Sequence, residues 1–285
     1  MKKALRTKDE IERCLAVYVY PRWKDRRFLE IRRTEVNALL DHIEDKHGTA
    51  QADKVLAIVC TIFNWYQKRT EHYTNPVVRG MMRGGKTARD RTLSDPELRA
   101  LWQAADDSGT FGAFCKVALL TGQRNSKVAT MQHDHINGDG VWTIATEARE
   151  KGNAGELRLP AMALDIIRAQ PRIAGNPFVF AGRGGRPIGN QSTVKAALDD
   201  KMPKDMPPWC VHDLRRTARS LLSRGGILPH ISERVLGHTI RGVEGPYDRH
   251  SYAHEKADAL ERLATLIDRI VNPPSGNVMP MVKKA

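Results

Sequence analysis

The chain has 285 residues and a mass of 32.0 kDa, a length that suits about two domains and can bury a core without metal or disulfide staples. Its 41% hydrophobic and 28% charged residues exclude disorder along the whole length. Its apolar runs fall far short of the ~18 residues of a membrane span, and the charged start MKKALRTKDEIERC lacks the apolar stretch of a signal peptide, so a cytoplasmic protein is expected. Lys and Arg number 46 against 33 Asp and Glu, a net charge of +13, which suits a polyanionic partner: DNA, RNA or an anionic membrane.

Residues 1–78 read as a helical domain. In TEVNALLDHIEDKHG, Thr34 is the expected N-cap, Val36, Leu39, Leu40 and Ile43 recur at helical spacing, and Gly48 stops the helix. A second helix is expected over about 52–68, with Val55, Ile58, Val59, Ile62, Phe63 and Tyr66 as its packing stripe. Asn75-Pro76 closes the region, because the residue before proline is pushed out of the helical basin. Residues 79–93 read as an exposed linker that carries Arg79, Arg83, Lys86, Arg89 and Arg91 against one acid, Asp90. Such a run is either a solvated tether or a set of phosphate contacts, each of which would release counterions on binding DNA.

A second domain spans 94–272. Ser94 with Glu97 three residues later is a capping box, with a proline in the first turn. An apolar helix follows over 111–120, then strand signals at 141–145, 156–160 and 177–182. Helical patterns resume at 161–170, 192–200, 212–224, 228–236 and 254–271, and 273–285 reads as a loose tail. The expected fold is mainly α with a small antiparallel sheet: a helical N-terminal domain and a mixed α+β C-terminal domain. Cys14, Cys60, Cys115 and Cys210 are too scattered for a zinc site and are expected as reduced thiols. The His133 and His135 pair in MQHDHIN reads as a polar loop, so no metal and no cofactor are expected.

Four segments set polar residues into otherwise structural text: LLTGQRNSKVATM with Arg124, EAREKGNAGELRLP with Lys151, VHDLRRTARSLL with His212 and Arg215, and VLGHTIRGVEGPYDRHSY with His238 and Tyr247. Singly, each has an ordinary explanation: a surface pair, a helix end, a packed ring. Together and in this order they closely resemble the tyrosine recombinase, or phage integrase, family. The resemblance is strong over 94–270 and looser over 8–92, where YVYPRW and IFNWYQKRTEHYTNPV look like the core-binding domain of prophage and island integrases.

The resemblance implies a metal-independent enzyme that cleaves and rejoins DNA through a 3′-phosphotyrosyl intermediate, integrating or excising a mobile element. Arg124 and Arg215 would hold the phosphate oxygens as planar charged forks. Tyr247 would be the nucleophile, His212 would move the proton near it, His238 would donate a hydrogen bond to the phosphate, and Lys151 would protonate the leaving 5′-oxygen. It also implies double-stranded DNA as partner, two domains clamping the duplex, a homotetramer on DNA, and a directionality factor or host DNA-bending protein as further partners. Tyr252, His250 and His254 are expected to be packing or surface residues. Three departures stand out. The family commonly has an acid three positions after the first arginine, where this chain has Lys127. Many relatives carry an additional arm-binding domain, for which residues 1–10 leave no room, so either a simple two-domain recombinase or a truncated copy is expected. The amphipathic segment 255–271, with Ala257, Leu260, Leu263, Ala264, Ile267 and Ile270 on one side, is core or, as often in the family, docks on a neighbouring protomer. A DNA-binding remnant without catalysis and a type IB topoisomerase remain as alternatives.

Overall fold

The computed structural model describes residues 7–84, 89–147, 150, 152–189, 191–238 and 250–273. The chain divides into two compact units, Met1–Arg89 and Asp90–Ala285. No helix among the described residues is long and apolar enough to cross a membrane.

The first unit is helical. α1 (Lys8–Cys14) runs through a π-helical turn, Leu15–Val19, into α2 (Tyr20–Trp23), and α3 (Arg33–His47) is joined to α4 (Thr49–Gln67) by the single residue Gly48. That junction needs φ +80°, which glycine supplies without a Cβ penalty. Val36, Leu39, Leu40 and Ile43 of α3 face Val55, Val59 and Phe63 of α4 in one buried cluster, each such side chain contributing about 1.5–3 kcal/mol. The start of α3 corrects the expected Thr34 cap. The cap is two residues earlier, at Arg32, and the helix begins at Arg33, because the Glu35 carboxylate accepts the Arg32 backbone amide at 3.0 Å and fixes the first turn there.

The linker also needs correction. Residues 79–84 are packed on the first unit: Met81 belongs to its core, and the Asp53 carboxylate accepts the backbone amides of Arg83 and Gly84 at 2.6 and 3.0 Å. Met81 sits where a polar tether was expected, and an acid on α4 supplies the anchor.

In the second unit, α5 (Asp95–Asp106) starts at the Ser94 capping box, with the Glu97 carboxylate 2.7 Å from the Ser94 amide. α6 (Gly109–Thr121) is apolar on nearly every side, Lys116 apart, because it is the central helix, flanked by α5, by α8 (Ala161–Arg168) and by α10 (Val211–Arg224). A short α7 (Asn125–Ala129) leads to the antiparallel pair β1 (Val141–Thr143) and β2 (Glu156–Arg158), with Trp142 opposite Leu157. α9 (Gln191–Asp199), α11 (Pro229–Leu236) and α12 (Ala253–Val271) complete the unit.

The expected third strand at 177–182 does not form an element. Only the isolated bridges Gln132–Phe178 and Ala181–Pro187 appear, since Pro177 and Pro187 have no N–H to extend a ladder. Val179 and Phe180 are still buried in the core. Leu260, Leu263, Ala264, Ile267 and Ile270 of α12 are also core residues of this unit, so that face is packed within its own chain.

Candidate active site

α6 and α11 end in the same way. Each runs into a left-handed glycine, Gly122 (φ +62°) and Gly237 (φ +69°), the usual device for stopping a helix. Helix C-termini carry partial negative charge on unsatisfied carbonyls, and both ends point at one side chain. Arg215, 5% exposed on α10, donates to Gly122 O and Leu236 O at 2.9 Å each. Burial and then the nearby charge of Arg124 lower the Arg215 pKa to about 10, so the group is still a cation at neutral pH. Gly237 is sterically required: a Cβ there would lie 2.3 Å from Ala154 N and 2.7 Å from Asn153 C. The α11 end is therefore pressed against the loop between β1 and β2.

Arg124 reaches the same place from the N-cap of α7. Its Nη2 lies 3.5 Å from Gly237 O, the carbonyl next to the one Arg215 uses, and its Nη1 lies 3.1 Å from Gly152 O and 3.4 Å from Glu150 Oε1. Two guanidinium groups thus share adjacent carbonyls at one helix end. Three further side chains brace the β1–β2 loop. Asn153 donates to Ile144 O and Ala145 O and accepts the Gly155 amide. Lys256, buried on α12, donates to Ala154 O and Glu156 O at 2.9 Å each. Lys127, 6% exposed, bonds Ala145 O at 2.7 Å and Glu150 Oε2 at 2.9 Å.

The two histidines differ. His238 follows Gly237, and its Nε2 is 2.6 Å from Arg215 Nη2 while Nδ1 bonds Glu233. A guanidinium only donates, so Nε2 accepts and Nδ1 carries the proton toward Glu233. Burial opposes ionisation of Glu233, but its bonds to His238 and Arg219 hold the carboxyl below its usual range. His212 lies exposed in the first turn of α10. Desolvation, followed by the charges of Arg216 and Arg215, lowers its pKa below the usual value, which keeps the imidazole neutral at pH 7.

The geometry thus brings together Arg124, Arg215 and His238, and electrostatics couple His212 to both arginines. His238, expected as a donor to a phosphate, sets its Nε2 against Arg215 Nη2 in the free chain. Lys151, Tyr247 and Lys86 lie outside the described residues. Of the linker arginines, Arg83 pairs with Asp41 at 2.6 Å, Arg91 bonds both oxygens of Glu97 and also reaches Pro207 O, and Arg79 is exposed in the first unit. Tyr252 is half-buried, with the Arg234 guanidinium 4.0 Å over its ring. Among the described residues no group of three or more His, Cys, Asp or Glu could hold a metal, and His133 and His135 lie in one 3-10 turn. Sequence reasoning missed Glu150, Gln123, Glu233 and Lys256. Gln123 is 3% exposed and donates to Val235 O at 2.6 Å, tying the α6 end to the α11 end. Its place inside TGQR was a usable signal; a lone glutamate beside Lys151 was not.

No protein-family model matches the chain, and no curated protein sequence does. Solved structures do. A lambda integrase dimer bound to a COC′ core site is similar over 84% of this chain and 89% of its own, with 19% identity and a TM-score of 0.65. A lambda integrase tetramer bound to a Holliday junction matches over 87% and 74%, with 18% identity and a TM-score of 0.65. The Tn1549 transposon integrase in complex with circular intermediate DNA matches over 87% and 91%, with 15% identity and a TM-score of 0.63. The chain therefore has the tyrosine recombinase, or phage integrase, fold.

Proposed function

We propose that this chain is a site-specific recombinase of the integrase type, cleaving and rejoining duplex DNA through a 3′-phosphotyrosyl link to Tyr247. The observation that carries this reading is the convergence of Arg124 and Arg215 on adjacent carbonyls of one helix end. Their bonds to backbone oxygens orient the planar forks. Among the described residues no carboxylate forms an ion pair with Arg215, so much of its charge remains available to phosphate oxygens. DNA as the partner, and four protomers on a junction, are supported by the DNA-bound dimer and tetramer of the similar lambda integrase.

In the proposed reaction the Tyr247 oxygen attacks the scissile phosphorus. The P–O(Tyr) bond forms as the bond to the 5′-oxygen breaks, and the bond energy is kept for religation. His212, neutral at pH 7, accepts the tyrosine proton, and Lys151 gives one to the leaving 5′-oxygen. His238, with Glu233 behind it, holds Arg215 in place through Nε2. Recombination then integrates or excises a mobile element.

The test is a nicked suicide duplex cut from the DNA that flanks the gene. It is incubated with wild type, Tyr247→Phe and Tyr252→Phe, then denatured and examined for protein linked to DNA. Adduct in wild type and Tyr252→Phe but not in Tyr247→Phe is expected. Loss only in Tyr252→Phe moves the nucleophile by five residues. Binding without adduct in any of the three supports an inactive remnant instead.

A further inference from the structure

A buried ion pair to which the proposed reaction assigns no step stands beside the arginine cluster. The Lys127 and Glu150 side chains are 6% and 9% exposed and 2.9 Å apart. Burying two charges costs several kcal/mol per ion unless each is fully bonded, and these are. Lys127 Nζ faces three acceptors, Ala145 O at 2.7 Å, Glu150 Oε2 at 2.9 Å and Glu147 Oε1 at 3.4 Å, which uses its three protons. Glu150 Oε2 also accepts the Glu147 amide at 3.1 Å. The other oxygen, Oε1, faces Arg124 Nη1 at 3.4 Å, and the same nitrogen bonds Gly152 O. One carboxylate is thus fixed on one side by Lys127 and the loop backbone, and presents its other side to the guanidinium.

We infer that Glu150 is a positioning residue for Arg124, and that Lys127 is the clamp that holds Glu150 there and not a phosphate ligand. This rests on Arg124 serving the phosphate, as proposed above. The counter-charge that a carboxylate at position 127 would give comes instead from the β1–β2 loop, 26 residues beyond Arg124. The loop and the arginine are thereby made one unit: bonds run from Arg124 to Glu150 and to Gly152, the residues on either side of Lys151. A loop displaced from Arg124 would disorder the guanidinium and misplace its own backbone together.

The test uses the full chain with Glu150→Gln, which keeps the shape and removes the charge, and Lys127→Met, which removes the clamp. Three quantities are measured: thermal unfolding, the rate at which phenylglyoxal modifies Arg124 relative to Arg215 (read by peptide mass spectrometry), and the single-turnover rate of adduct formation at saturating protein. Glu150→Gln should unfold cooperatively near the wild-type temperature and label Arg124 several-fold faster with Arg215 unchanged. It should form adduct about tenfold more slowly with little change in DNA affinity, the pattern of an interaction needed in the transition state. Lys127→Met should move labelling in the same direction. Arg124 labelling unchanged in Glu150→Gln overturns the inference, as does equal loosening of Arg215 or a collapse of the unfolding transition, each of which marks a merely structural pair. A wild type that labels as expected but never forms adduct overturns the recombinase reading and leaves the anchoring of Arg124 by Glu150 standing.

Discussion

The segment 79–91 and the Arg124–Arg215 cluster are both basic, and they manage their charge in opposite ways. In the first, Arg83 is paired with Asp41 and lies 3.8 Å from Glu44, and Arg91 bonds both oxygens of Glu97. These guanidinium groups are partly exposed, yet their charge is cancelled by carboxylates. In the second, Arg124 faces one oxygen of Glu150 at 3.4 Å, but Arg215 is almost fully buried, forms no ion pair with a carboxylate among the described residues, and bonds two carbonyls and an imidazole nitrogen. Carbonyl dipoles stabilise a cation without neutralising it. A count of lysines and arginines ranks the first region as the better anion site, whereas the bonding partners rank the second higher. An anion site is a place where positive charge is oriented and left uncompensated.

Arg215→Lys breaks the second half of that comparison most severely. It keeps the charge but loses the planar fork, and one ammonium cannot span the ends of α6 and α11. Loss of one such donor costs about 2.7–4 kcal/mol, or ~10²–10³ in rate, so adduct formation should fall by that factor while Arg83→Ala leaves the rate alone. Equal losses in the two variants would erase the distinction between the regions.

The next largest effect tests how the cluster is assembled. Gly237→Ala drives a methyl into the Asn153–Ala154 backbone at a positive φ. Gly226 has φ +76° and open space where a Cβ would project, so Gly226→Ala measures the left-handed strain alone, ~1–2 kcal/mol. Urea unfolding should show Gly237→Ala less stable than Gly226→Ala by about 1–3 kcal/mol more, the usual cost of overpacking. Equal losses would mean that the helix end does not press on the loop.

Much of this cluster is legible in the sequence, and the reason is local. TGQR, HDLRRT and LGH each combine a helix boundary with the residue that boundary positions, so glycine stops and polar neighbours announce the geometry. The helical pattern of the second unit is readable for the same reason: α10, α11 and α12 lie within a residue or so of their expected bounds. What is not legible depends on distant partners. Lys256 bonds carbonyls about a hundred residues away, and nothing near it distinguishes it from a surface lysine. The role of Lys127 appears only when Glu150 is beside it. The segment 177–182 has the composition of a strand and is buried like one, but its own Pro177 and the Pro187 that faces it deny it a ladder.

A smaller effect concerns His212. Desolvation and the charges of Arg216, Arg215 and Arg124 lower its pKa, and Asp213 opposes them. A base works in its neutral form, which exists above its pKa. Cleavage should therefore stay flat as pH falls through the ordinary histidine value of ~6.5 and decline only below it. Arg216→Ala removes one of the depressing charges and should move the decline upward. A decline at or above the ordinary value in wild type would remove His212 as the base, or show that phosphate binding cancels the field of the arginines.

The smallest expected effect is the sharpest test of the comparison. A lysine or arginine that neutralises a DNA phosphate releases counterions, and its loss reduces the slope of log K against log[salt] by ~0.9 on duplex DNA. Arg83 and Arg91 would have to surrender Asp41 and Glu97 to make such a contact. The exchange replaces one charge-assisted bond by another and leaves a carboxylate near the phosphate, so little net gain remains. Arg83→Ala and Arg91→Ala should each leave the slope unchanged, while Arg79→Ala, which removes an exposed arginine of the same stretch, should lower it by about one contact if that surface meets DNA. Measuring the three variants by anisotropy over a salt series separates the cases. A slope lowered equally by Arg83→Ala and Arg91→Ala would mean that DNA opens those ion pairs, and that compensated charge in the free protein does not predict compensated charge in the complex.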